Sequence, residues 1–274
     1  MLIGKSWHWA KDGFNLLRLQ SAFLPVVESS PVDPVVNSAL DQPYSYMGRG
    51  RQCYAFMSRD GRYVLKLPRL DQFGLPFWLR SLSFPFLESY REGKRAYMLQ
   101  RCQFTMNSFQ IAFSELQRET SVLYLHVNQT DSFHRLIQIT DRIGRTYQLN
   151  LDKTLFILQE KTELMMPLVQ QAIKKGDRKE AERILNAFLE VLESRSRKGI
   201  FNKDPTFLEN FGFDGKKGIQ VDIGGFYHKP GYEGQMAFEK SLSETAAHVH
   251  NWLAETNRDL QAWFDLRTEQ ILAR

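Results

Sequence analysis

The sequence predicts an α+β chain in two lobes, the first rich in strands and the second mainly helical. Three observations lead there. Short apolar runs separated by turn residues fill the stretch from Tyr44 to Gln159, and helical spacing of apolar residues takes over from Met165. Strands and helices are thus segregated rather than alternating, which favours α+β over α/β. The length of 274 residues suits one large domain or two lobes. With 43% hydrophobic and 24% charged residues, the composition excludes disordered, collagen-like and coiled-coil classes.

Residues 1–43 read as an N-terminal extension with an apolar patch at Ala22–Val27. It ends in a loop through the turn-rich Ser29-Ser30-Pro31-Val32-Asp33-Pro34. The strand-rich lobe is expected over 44–161. Tyr44–Met47 gives its first strand, joined through Gly48-Arg49-Gly50 to Tyr54–Met57, and Asp60-Gly61 turns that strand into Tyr63–Leu67. Pro68, Gly74, Pro76 and Pro85 make 68–90 a loop or a broken helix. Phe113–His126 reads as a helix carrying Leu116, Val122, Leu123 and Leu125, and strands are expected at Leu136–Thr140, Tyr147–Leu151 and Leu155–Gln159. The boundary falls near Glu160–Glu163, and the helical lobe covers 162–274.

That lobe begins with a helix over Met165–Lys175, stopped by Gly176. Asp177 with Glu180 resembles a capping box for a second helix, on which Ile184, Leu185, Phe188, Val191 and Leu192 keep helical spacing. Phe211–Phe213 and Gly218–Val221 form a small hairpin around Asp214-Gly215, and two helices over 236–272 close the chain. No repeat or low-complexity tract interrupts this order.

Several function classes are excluded early. No apolar run approaches 18 residues, so no membrane-spanning helix is expected. Arg18 and Gln20 break what would be the apolar core of a signal peptide, and two cysteines, Cys53 and Cys102, are too few for a disulfide framework or a cysteine-based zinc site. A reducing, cytoplasmic setting follows as the expectation, compatible with export by a dedicated secretion system. The net charge of +5 suits polyanions in general and selects none. Six histidines lack metal spacing, and no Gly-x-Ser-x-Gly elbow is present.

Four short stretches can carry chemistry. Gly48-Arg49-Gly50 between strands lets a backbone approach phosphate closely, or simply makes a hairpin. Lys66, within Val64-Leu65-Lys66-Leu67, can reach phosphate oxygens or run out to solvent. Asp204 with Asn210 on a loop offers a carboxylate to orient a hydroxyl and an amide oxygen for Mg²⁺, or is a polar turn. Asp222, at the end of an apolar strand before Ile223-Gly224-Gly225, is placed for a metal but is a common feature by itself.

In this order, on these elements, the stretches from Tyr44 to Gly225 resemble the protein-kinase-like superfamily. The resemblance implies a two-lobed protein-kinase-like fold with Mg-ATP between the lobes. Gly48 and Gly50 would cover the phosphates, and Lys66 would hold them, paired with Glu119 or, one turn earlier, Glu115. Gln159–Lys161 would be the hinge that meets the adenine. Asp204 would be the catalytic aspartate, while Asn210 and Asp222 would hold Mg²⁺. The implied activity is transfer of the γ-phosphate of ATP to a hydroxyl on an unidentified protein or small molecule.

The chain also departs from the family pattern. Cys53 stands at the third loop glycine, Asn202-Lys203-Asp204 replaces His-Arg-Asp, and Ile223 replaces the usual Phe. The step from Asp204 to Asn210 is one residue longer than in the family. The stretch after Gly224 fits a minimal, atypical C-lobe without a long activation segment. Two other classes remain open. One is an interaction protein on the same scaffold without turnover, which would bind nucleotide unchanged. The other is a basic nucleic-acid-binding protein, the weakest of the three, which salt dependence of binding would reveal.

Overall fold

The computed structural model describes residues 12–16, 19, 32–75, 79, 84, 87–204 and 206–274. The apolar patch at Ala22–Val27 lies outside them. The chain divides into two compact units, Met1–Met106 with Val122–Lys161, and Asn107–Ser121 with Thr162–Arg274.

In the first unit, helix α1 covers Pro34–Leu40, where the sequence suggests a loop. The turn-rich segment holds a helix start: Asp33 is the N-cap, its carboxylate accepting from the Val35 amide at 2.7 Å, with proline as the first helical residue. Strands β1 (Tyr44–Arg49), β2 (Cys53–Ser58) and β3 (Tyr63–Pro68) form an antiparallel meander. Gly61, at φ 71°, makes the turn before β3 possible, and the Asp60 carboxylate fastens it by accepting from Ser58 Oγ and the Arg62 amide.

Four more strands complete the sheet: β4 (Val122–His126), β5 (Leu136–Thr140), β6 (Thr146–Asn150) and β7 (Phe156–Glu160). The strand order is β4-β7-β3-β2-β1-β5-β6, with β1 and β5 parallel and the other neighbours antiparallel. One face carries the core, in which Tyr54, Phe56, Leu65, Leu67, Phe156 and Leu158 pack with Phe14.

The segment 113–126 is not the single helix expected. Helix α2 runs from Glu88 to Ser114, a short helix α3 covers Gln117–Thr120, and β4 follows. Ser121 turns the chain in the left-handed region at φ 51°, and the β-branched and aromatic run after it pairs with β7. Met106 is the last residue of α2 in the first unit, and Asn107 the first in the second.

The second unit is built around helix α5 (Arg178–Arg197), capped by the Asp177 carboxylate accepting from the Glu180 amide. Helix α4 (Met165–Lys174) precedes it, and Gly176 at φ 70° separates the two. Helices α7 (Gly234–Thr256) and α8 (Arg258–Leu272) end the chain. Ile184, Leu185, Phe188 and Leu192 of α5 pack with Leu242, Val249 and Leu253 of α7 and with Leu260 and Phe264 of α8. Against this helical core lie β8 (Glu163–Leu164), β9 (Ile200–Asn202), a helical turn α6 (Phe207–Asn210), and β10 (Phe211–Phe213) with β11 (Gly218–Gln220). Strand β12 (Phe226–His228) pairs with β9, while β8, β10 and β11 form a separate small sheet. The α+β class holds.

Candidate functional site

In the first unit, the register of the meander lines up the predicted residues. Gly48 pairs with Ala55, Ala55 with Lys66, and Lys66 with Ile157, so these four form one row across β1, β2, β3 and β7. Directly paired residues share a face, and here it is the face opposite Tyr54, Phe56, Leu65 and Leu67. A bulge between Tyr46 and Gly48 brings this about, because it shifts the register after Tyr46 has paired with Phe56. Lys66 is half-buried between the fully buried Leu65 and Leu67; its neighbours in the row are the methyl of Ala55 on one side and the buried Ile157 on the other, with Gly48 next beyond Ala55.

Neither glycine is required by the fold. A Cβ on Gly48 would meet nothing within 4 Å, and one on Gly50 would make an ordinary 3.6 Å contact with the Cys53 carbonyl oxygen. Neither has the positive φ that favours glycine. The turn closes through the Gly50 amide donating to the Cys53 carbonyl at 2.9 Å, so Cys53 starts β2 rather than extending the loop. Of the residues expected to meet adenine, Gln159 is buried, Glu160 is exposed, and the Lys161 amide donates to the Arg62 carbonyl.

In the second unit, Asp204, Asn210 and Asp222 are joined by short links. Asn210 Nδ2 donates to the Asp204 carbonyl at 2.8 Å, and the Val221 amide donates to the Asn210 carbonyl at 2.8 Å. The first bond turns the amide so that Oδ1 is the atom left for a cation; no hydrogen bond reaches it among the described residues. The second sets Asn210 opposite the residue that precedes Asp222. The step from Asp204 to Asn210 includes the turn α6, and it still returns the Asn210 amide to Asp204.

Asp204 is held from both sides: its amide donates to Asn202 Oδ1 at 2.9 Å and its Oδ1 accepts from Thr206 Oγ1 at 2.6 Å. Its Oδ2 makes no hydrogen bond among the described residues, which suits it to accept one from a hydroxyl. Asp222 is exposed, and its Oδ1 accepts from the Gly224 amide at 3.1 Å. Asn210 and Asp222 together offer hard oxygen donors, the chemistry that Mg²⁺ prefers. Among the described residues no group of three or more His, Cys, Asp or Glu is arranged for a metal, so the fit is to an ion that keeps waters or substrate oxygens as its other ligands.

Sequence reasoning pairs Glu119 with Lys66; in the structure Glu119 has partners within its own unit. Glu119 is 3% exposed, and its Oε1 accepts from Lys198 Nζ at 2.7 Å and from Ser194 Oγ. Burial pushes the carboxyl up, but the Lys198 and Ser194 hydrogen bonds outweigh it and hold the group below its ordinary value. Glu115, the alternative, faces His228 Nε2 at 3.1 Å. Both carboxylates are thus engaged within the second unit.

Two features were not found from sequence. Ser108 Oγ donates to the Ile223 carbonyl and accepts from the Phe226 amide, each at 2.6 Å. Arg195, 1% exposed, donates to Gln220 Oε1 and to Thr245 Oγ1. A serine in mid-helix and an arginine at a helix end carry no signal of such roles.

No family model matches the chain, and no curated protein matches it. Solved structures do. The chain is similar to WbdD. It matches a crystal structure of monomeric WbdD at 14% identity and TM-score 0.44, covering 81% of this chain and 44% of that one. It matches a structure of the bifunctional kinase-methyltransferase WbdD at 15% identity and TM-score 0.38, covering 80% of this chain and 43% of that one. The chain spans less than half the length of the structures it matches. No helix among the described residues is long and apolar enough to cross a membrane.

Proposed function

We propose that the chain is a phosphotransferase of atypical kinase type, using Mg-ATP and a hydroxyl acceptor. The observation that carries this reading is the linkage of Asp204, Asn210 and Asp222, which directs an amide oxygen and two carboxylates to separate tasks. The row of Gly48, Ala55 and Lys66 supports it, because on the β2 side of the ammonium it places a methyl group and then a position with no side chain.

In this reading the first unit holds the nucleotide phosphates. Lys66 donates to their oxygens, and the backbone at Gly48 and Gly50 approaches them where a side chain would intrude. In the second unit, Asn210 Oδ1 and Asp222 would hold Mg²⁺, which when bound neutralises phosphate charge. Asp204 Oδ2 accepts the proton of the acceptor hydroxyl and orients it. The hydroxyl oxygen then bonds to the γ-phosphorus as the bond to the bridging oxygen breaks, ADP leaves, and the proton ends on Asp204. Most of the rate enhancement comes from positioning and charge neutralisation.

The test is ADP formation from Mg-ATP, with water or an added hydroxyl compound as acceptor. Wild type is expected to turn over, while Lys66→Ala and Asp204→Asn lose about 10²-fold or more. Equal rates in all three would refute the assignment.

A further inference from the structure

We infer that Ser108 is a positioning residue for the Asp222 loop, an inference that rests on the phosphotransferase reading above. Ser108 is fully buried, and its single oxygen serves the loop twice, as donor to the Ile223 carbonyl and as acceptor from the Phe226 amide. Only a hydroxyl can do both at one atom in so small a space. Ile223 is the neighbour of Asp222, and Phe226 opens β12, so the two bonds bracket the loop.

The behaviour of Ser108 differs from that of similar residues on the same helix. Thr105 and Ser114 of α2 donate to carbonyls four residues back, those of Arg101 and Gln110, as mid-helix hydroxyls usually do. Ser108 donates to the loop instead.

The loop is fastened on its other side to the Asp204 segment. The Lys203 amide donates to the Gly225 carbonyl at 2.9 Å, and Phe226 pairs with Asn202. A Cβ on Gly225 would come within 2.1 Å of Asn202 Oδ1, the same oxygen that accepts from the Asp204 amide. The loop that carries Asp222 thus lies directly on the residue that orients Asp204, and Ser108 holds it there. Further along, His228 faces Glu115, so 107–121 touches the loop and the strand after it at two places. Ser108 has the role of a second-layer residue around a metal: it contacts no ligand, but it fixes the carbonyl and amide that set the direction of a ligand side chain.

The test compares wild type, Ser108→Ala and Ser108→Thr in two measurements. The first is hydrogen exchange of the Phe226 amide, which is expected to quicken about 10-fold or more in Ser108→Ala and return toward wild type in Ser108→Thr. The second is the Mg²⁺ concentration that gives half-maximal thermal stabilisation by ATP, expected to rise about 10-fold in Ser108→Ala and to be restored in Ser108→Thr. If Ser108→Ala does not fold, Ser108→Cys, close in volume and weak in hydrogen bonding, is expected to move both in the same direction. A Mg²⁺ midpoint within about twofold of wild type in a variant whose Phe226 exchange has quickened overturns the positioning role while leaving the phosphotransferase reading intact. Absence of any Mg²⁺-dependent effect of ATP on wild type overturns that reading, and the positioning role with it.

Discussion

Arg195 poses an energetic question whose answer can be measured. Its guanidinium is enclosed, yet its partners are neutral: Nη1 donates to Gln220 Oε1 at 2.7 Å and Nη2 to Thr245 Oγ1 at 2.9 Å. Arg195 Nε and Gln220 Nε2 find no partner among the described residues. Burial pulls the guanidinium down from its ordinary value to about 10. That drop corresponds to about 3 kcal/mol opposing the charged form at neutral pH. Arg195→Met removes this penalty but leaves both polar atoms of the Gln220 amide unsatisfied, at about 1–3 kcal/mol, so the single variant should lie close to wild type. Replacing Gln220 by Leu as well removes the orphaned amide, and the double variant should be more stable than wild type by about 1–3 kcal/mol.

Urea unfolding followed by tryptophan fluorescence is a suitable assay, because Trp252 packs against Phe207 in the same core. Thermal midpoints should rise by about 2–4 °C per kcal/mol. A double variant less stable than wild type by more than about 2 kcal/mol would mean that the buried charge stabilises the fold, and the argument from desolvation would fail. Gln220 pairs with Phe211 and lies two residues before Asp222, so the same double variant should bind Mg-ATP less well while being more stable.

Three further outcomes are expected. Gly48→Ala should leave the thermal midpoint within about 2 °C of wild type, since the fold has room for the methyl, yet weaken ATP binding about 10-fold or more by crowding the phosphates; unchanged affinity in a calorimetric titration would count against the phosphate role. Asp152→Ala should cost about 2–4 kcal/mol and speed hydrogen exchange over 130–135, because that carboxylate accepts from Thr130 Oγ1 and from the amides of Ser132, Phe133 and His134; an unchanged unfolding midpoint would refute it.

The third concerns pH. Burial lowers His126 from its ordinary 6.5, so the unfolded chain takes up a proton first and stability declines as pH falls below about 6.5. Burial pushes Asp152 up, but the hydrogen bonds it accepts outweigh this and bring it down to about 2. Its contribution is full above its ordinary 3.8 and is lost as pH falls through about 2. Solvent screening leaves the Asp152 share on the order of 1 kcal/mol. A first-unit unfolding midpoint that does not change between pH 7 and pH 3 would contradict both.

The meander β1–β3 was legible because alternation, Asp60-Gly61 and the strand lengths all agree. Helix α5 was legible through its Asp177 cap and its apolar stripe. Helix α2 was not: Tyr90, Tyr97 and Leu99 are all more than half exposed, and its buried face near the C-terminal end mixes Thr105 and Ser108 with Phe109 and Ala112, so its apolar residues trace no clear stripe. The misreading of 113–126 has a different source. Leu116, Val122, Leu123 and Leu125 fit a helical period over a short window, and the left-handed Ser121 that breaks it has no sequence signature. At the candidate site, residue types and order suggested Asp204, Asn210, Asp222 and Lys66. The partner of Glu119 could not be read because Lys198 is 79 residues away, and neither the pairing of Gly48 with Ala55 nor the double bond of Ser108 has a local trace.

The central claim is a Mg²⁺-dependent nucleotide site that needs Asp222. It is tested most directly by a thermal-shift titration with ATP, with and without Mg²⁺, on wild type and Asp222→Ala. At about 100 times Kd a ligand stabilises by about 2.7 kcal/mol, enough for a rise of several degrees. The account predicts that rise in wild type with Mg²⁺ and its loss in Asp222→Ala. An equal rise in both proteins, or none in wild type at millimolar ATP and Mg²⁺, would contradict it.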